Sequence, residues 1–171
     1  MGIKADLKAA RARMQAGTPL EAVTIIQAVL DASPPELLQD PQLKYAFLIT
    51  AGLAHLAAED LTSCEDRFRE AAASLPDAPQ AWKGLIECLE RGGKVEALPE
   101  CLGRAADIAE GKGNFARARS LRLRLGQVLD SLGRPEEALE ALLKHLDNPD
   151  ANPNPDLESA PGSAGETGGG G

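Results

Sequence analysis

The 171-residue chain carries few side chains able to make or break bonds. It has two histidines, His55 and His145, and three cysteines, Cys64, Cys88 and Cys101. A nucleophile needs an adjacent base held in place by a third group, and neither histidine has such surroundings in sequence. His55 lies among Leu53, Leu56 and Ala57 and reads as a structural residue. His145 falls near the end of the last expected helix, where a cation meets the negative end of the helix dipole. HExxH, GxSxG and Walker A patterns do not occur. Gly92-Gly93-Lys94 and Gly111-Lys112-Gly113 resemble phosphate loops only superficially: neither follows a strand pattern, so both read as turns. An odd number of cysteines without C-x-x-C spacing argues against a disulfide framework or a zinc site. Three buried thiols in a reducing compartment are expected. The residues therefore predict no catalysis, no cofactor, no metal and no small-molecule substrate.

Charge narrows the partners. The net charge is −8 and the isoelectric point about 4.8, whereas a phosphate-binding surface needs a positive field. Direct nucleic-acid binding is thus disfavoured for the chain as a whole. One cluster runs the other way: Arg117, Arg119, Arg122 and Arg124 fall on one expected helix, with Arg104 on the helix before it. They form either a basic patch for an acidic partner or RNA backbone, or a solvated helix face. Only 3% of residues are aromatic, which leaves little for base stacking. An RNA-binding helical repeat is the alternative carried by these arginines. The first residues, Met1 to Gln15, are charged and lack an apolar signal core, and no apolar run is long enough to span a membrane. The cytoplasm is the expected location, with the nucleus as the alternative.

The elements that would position any site are helical. Hydrophobic residues make up 43% of the chain, and before residue 147 they recur at helical spacing. Breakers at Gly17-Thr18-Pro19, Ser33-Pro34-Pro35, Leu75-Pro76-Asp77, Gly92-Gly93, Gly111-Lys112-Gly113 and Gly133-Arg134-Pro135 divide this stretch. With a further boundary at residues 59–60, they predict eight helices, over 3–16, 19–32, 36–58, 61–74, 78–91, 95–110, 114–132 and 135–146. Pro99 is expected in the first turn of the sixth, where its missing N–H costs nothing. From Asn148 onward the Pro/Gly-rich composition cannot bury enough apolar surface to offset chain entropy. The expected organisation is a helical domain over 1–147 and a disordered tail over 148–171.

The eight helices repeat in pairs. One unit reads Tyr45, Leu48, Ala51, Gly52, His55, Cys64, Phe68, Ala71 and Pro76, and the next reads Trp82, Leu85, Leu89, Gly93, Leu98, Leu102 and Ala105. Leu48 to Trp82 and Phe68 to Leu102 each span the period of 34 residues. A first unit from Ile3 carries Gly17, Ala22, Ile26, Val29 and Pro34. A fourth, near Arg119, carries Leu125, Gly126, Leu129, Gly133, Ala138 and Leu142. Wider gaps between corresponding breakers predict that helices three and seven are lengthened. The set is similar to the tetratricopeptide repeat, and Gly133-Arg134-Pro135-Glu136-Glu137-Ala138 resembles that family's turn into its second helix. The resemblance implies an all-α fold: an α-α superhelix of about four helix-turn-helix units with a concave face. A plain antiparallel helical bundle would share the same periodicity.

In such a repeat the concave groove is lined mainly by the first helices. Those positions are Ala46, Ile49, Leu53 and Leu56 in the second unit, and Gln80, Lys83, Glu87 and Glu90 in the third. Ala46, Ile49, Leu53, Leu56, Lys83 and Glu87 are thus the candidate partner-binding groove for a peptide or helix; the apolar second-unit set is equally compatible with core. The family's clamp for chaperone carboxylates would fall at Leu7, Arg11, Thr50, Gln80 and Gly84, of which only Arg11 is basic. Over roughly residues 5–110 the chain also resembles the N-terminal region of the repeat scaffold of the superkiller (Ski) complex. That resemblance rests on Leu7-Lys8-Ala9-Ala10-Arg11, Glu21-Ala22 and Gln80-Ala81-Trp82-Lys83-Gly84-Leu85. It implies a scaffold acting in exosome-linked cytoplasmic mRNA decay, within an assembly whose scaffold is much longer.

Overall fold

The computed structural model describes residues 2–146, and the expected tail over 148–171 lies outside them, as does the side chain of His145. Every regular element in that range is helical: α1 (Ile3–Gln15), α2 (Pro19–Ala32), α3 (Pro35–Gln39), α4 (Pro41–Ala57), α5 (Leu61–Ser74), α6 (Pro79–Arg91), a 3-10 turn (Val95–Ala97), α7 (Leu98–Gly111), α8 (Phe115–Ser131) and α9 (Pro135–Leu146). The expected helix over 36–58 is two helices. The break falls at Asp40-Pro41: the Asp40 carboxylate accepts a hydrogen bond from the Leu43 amide at 3.0 Å, and Pro41 occupies the first helical position, where proline is favoured. So the extra residues before the second unit form a separate short helix. The lengthening expected of the seventh helix is present in α8, which has 17 residues against 13 in α6. Pro99 lies in the first turn of α7, behind the 3-10 turn.

The helices pair as α1/α2, α4/α5, α6/α7 and α8/α9, and each second helix packs on the first helix of the next pair. This is the stacked solenoid that the repeat implies. α4 is buried on both sides. Phe47, Ala51 and Ala54 face a core shared with α1 and α2, while Tyr45, Leu48 and Leu56 belong to a second core running through α5 to α9. Two devices fix the start of α6, which has no side-chain cap of its own. The Tyr45 hydroxyl on α4 accepts a hydrogen bond from the Ala81 amide at 3.1 Å, satisfying one of the orphan donors of the helix start. The Trp82 indole donates to the Pro76 carbonyl at 2.8 Å, and the Arg104 guanidinium lies 5.8 Å from the Trp82 ring centre.

Among the described glycines, the two with least room for a Cβ both face Phe68. Its fully buried ring on α5 sits between Gly52 on α4 and Gly84 on α6. A Cβ at Gly84 would lie 2.3 Å from the ring, and one at Gly52 would lie 2.8 Å from it. Because the ring is held from both sides, it cannot retreat. Gly84→Ala is therefore expected to cost about 1–3 kcal/mol of stability by overpacking. Pairing it with Phe68→Leu should recover part of that loss, as read from urea midpoints.

The cysteines correct the expectation of three free thiols. Cys64 on α5 and Cys88 on α6 form a disulfide, with their Cα atoms 6.5 Å apart; the two helices dock with these small side chains face to face. The bond removes the ground on which a reducing compartment was expected. Cys101 is free and buried, and burial pushes its thiol up to about 11, so at neutral pH it holds its proton and is inert. Unfolded without reductant, the chain should titrate one thiol, and three after reduction. Reduction should lower stability by about 3 kcal/mol, the loop-closure value for a loop of this size.

Candidate protein-binding groove

The expected groove residues divide between surface and core. Ile49 and Leu53 on α4 and Gln80, Lys83, Gly84 and Glu87 on α6 line one cleft of about 190 Å³, with Phe68 as its floor. Leu53 is 44% exposed and Ile49 only 9%, so Leu53 is the accessible apolar wall. Leu56 is buried in the larger core, and Ala46 packs against the core of the first unit; neither lines the cleft. The reason is the helical turn. Leu56 lies about one turn past Leu53, within the larger core and 6% exposed. Across the cleft, Glu87 pairs with Arg91 at 3.2 Å, while Lys83 makes no ion pair among the described residues. The cleft thus has one apolar wall, an aromatic floor and a polar wall of mixed charge. Its volume is below that of ordinary cofactor and ligand pockets and suits one apolar side chain of a larger partner.

The four arginines of α8 do not form one face. Arg122 is buried, its guanidinium bonding Asp107 at 3.2 Å and Glu110 more closely, both on α7. Arg124 pairs with Glu90 on α6. Arg119 is half-buried, and Arg117 is exposed at the start of α8. Arg104 is taken by Trp82. Helical periodicity is the cause: at 3.6 residues per turn Arg117 and Arg124 share one side of α8, and Arg119 and Arg122 share the opposite side, where Arg122 meets α7.

His55 is engaged in the turn between α4 and α5. Its Nδ1 lies 3.1 Å from Asp60 Oδ2, and Asp60 caps α5 by accepting from the Ser63 amide. Hydrogen bonds from Ser63, with a smaller contribution from His55, hold the Asp60 carboxyl below the usual carboxylate range. Among the described residues no group of three His, Cys, Asp or Glu side chains could hold a metal ion, and no helix is long and apolar enough to cross a membrane.

The comparisons with known proteins agree with this architecture. A family model described as tetratricopeptide repeat matches residues 49–97 and 104–153, more than half of the chain. The chain belongs to the tetratricopeptide repeat family. The two matched segments begin within the second and third helix pairs. Among solved structures, MamA is similar over 85% of this chain and 77% of its own, at 19% identity and a TM-score of 0.62. A Podosopora anserina putative kinesin light chain with nearly identical TPR-like repeats matches over 84% and 73%, at 18% identity and a TM-score of 0.57. These likenesses concern the fold. No curated protein sequence matches. The family implies protein partners and a scaffolding role.

The buried arginine gives a measurable contrast along α8. Arg122→Ala should cost about 2–3 kcal/mol, because it strips packing and strands two carboxylates whose own partial exposure moderates the loss. Arg122→Met should cost less by keeping the packing, and Arg117→Ala should stay within about 0.5 kcal/mol. Denaturant titration of the three variants checks the order.

Proposed function

We propose that this tetratricopeptide repeat chain is a non-catalytic adaptor that holds a peptide or helix of a protein partner in the groove between α4 and α6. The partner anchors one apolar side chain against Leu53 and Ile49 above the Phe68 ring. The observation that carries this reading is the cleft itself: an accessible leucine on a rigid helix and a polar wall line one space of about 190 Å³. Apolar anchors in pockets dominate the binding energy of such contacts, and Gln80, Lys83 and Glu87 supply polar groups that fix register. A role in a superkiller-type assembly is the specific instance suggested by the motifs at Leu7–Arg11 and Gln80–Leu85. An RNA-binding role loses support from the dispersal of the α8 arginines.

Peptide display on the full chain tests the groove. Selected sequences should share an apolar anchor, and Leu53→Glu should weaken them tenfold or more, about 1.4 kcal/mol, without moving the unfolding midpoint. Equal binding by both proteins would move the site elsewhere. Capture from cytosol of helicase or exosome subunits by the wild-type chain, lost with Leu53→Glu, would support the superkiller instance.

A further inference from the structure

A second cleft, of about 400 Å³, opens where the start of α6, the end of α7 and the start of α8 meet. Its floor is apolar, made by Ala105, Ile108 and Ala109 of α7, and its rim carries Lys83, Lys112 and Arg117. None of its lining residues is acidic, and none of the three cations makes an ion pair among the described residues. Asp107 and Glu110, on the same helix, are turned to the other side and held by Arg122. In a chain of net charge −8, three unpaired cations around an apolar floor are a local reversal of sign. They need an occupant that is acidic and carries an apolar anchor.

The chain itself supplies such a segment. Between residues 147 and 171 there are five acids, Asp147, Asp150, Asp156, Glu158 and Glu166, and no lysine or arginine. Leu157 is the one large apolar residue there, and it is flanked directly by Asp156 and Glu158. The topology puts this segment within reach. α9 runs antiparallel to α8, so it ends at the end of the array where α8 begins, and Lys144 near its end lies 3.6 Å from Asp107 on α7. The cleft lies about two helix spacings away, roughly 20 Å, and the eleven residues from Leu146 to Leu157 can span about 36 Å.

We propose that Asp156-Leu157-Glu158 docks in cis in this cleft, with Leu157 on the Ile108 floor and the two carboxylates at Lys83, Lys112 and Arg117. Tethering gives the segment an effective concentration on the order of millimolar, so a weak contact suffices for substantial occupancy. Gln80 and Lys83 line both this cleft and the α4/α6 groove. The docked segment therefore competes with anything that enters that groove and lowers its apparent affinity by the fraction left open.

Nitrogen-15 NMR of the full chain tests the docking. Leu157→Ser, and separately D156N with E158Q, should shift the amides of Ile108, Lys112, Asn114 and Arg117, by the same amount at every protein concentration. The surface variant K112E with R117E should abolish that response while leaving the α4 and α5 amides in place, which shows that it folds. Shifts confined to the neighbours of the substituted tail residues would overturn the proposal. Cleft shifts that fade on dilution would overturn it in favour of the tail of a second copy.

Discussion

The seating of the Phe68 ring between two glycines is the constraint on which the rest of the structure depends. α5 can lie close to α4 because Gly52 has no side chain, and α6 can close over the same ring because Gly84 has none. One aromatic side chain thereby sets two helix–helix spacings at once, within a repeat pair and between neighbouring pairs. The Cys64–Cys88 disulfide and the Tyr45–Ala81 hydrogen bond tie the same three helices together at other heights. The fourth unit uses the same plan with softer parts. A Cβ at Gly126 on α8 would lie 3.1 Å from Leu142 on α9, at the same sequence interval as Gly52 and Phe68. A leucine can adjust its rotamer where a wedged ring cannot, so the centre of the array is more tightly specified than its end.

The groove follows from that packing. Phe68 is the floor of the α4/α6 cleft because it is the residue that holds α4 and α6 apart. The cleft is therefore a space left by the repeat's own spacing, and its depth is set by the core beneath it. A solenoid of this kind presents binding surface on elements that are already rigid, so little ordering entropy is lost there on association. Salt bridges outside the groove support the same rigidity. Glu65 on α5 receives Arg69 at 2.9 Å and Lys94 at 2.6 Å. The Lys94 hydrogen bond is the larger cause holding its carboxyl below the ordinary range. That contribution is present above the usual glutamate range and fades as acid protonates the folded state.

Much of this was legible in the sequence, for physical reasons that differ by feature. The helix pairs were readable because their apolar period and turn residues agree. Even the turn between α4 and α5 was placed at the right residues, although Glu59 takes a left-handed φ of 59° where the corresponding turns carry glycine at Gly93 and Gly133; in the structure Asp60 caps the next helix. The Asp40-Pro41 break carried its own capping signal, but apolar residues on both sides of it, Leu37, Leu38 and Leu43, hid it within a continuous helical pattern. Motif positions marked Ile49, Leu53 and Leu56 as equivalent, yet only the curvature of the stack decides which stays uncovered. The Cys64–Cys88 bond depends on the rotation of α5 against α6, which no spacing within either helix reveals.

The distribution of charge carries the same lesson about context. In one dimension the arginines of α8 were compatible with either one basic stripe or a solvated helix face. In three dimensions the stripe is taken apart by its own acids: Asp107 and Glu110 withdraw Arg122 from solvent, and Glu90 neutralises Arg124. What remains is Arg117, joined by Lys83 and Lys112 from other elements of the chain. The positive site is thus assembled from residues far apart in sequence, by the same stacking of α6, α7 and α8 that buries Ile108. Their grouping over an apolar floor gives this face of the array a chemical preference opposite to that of the molecule as a whole.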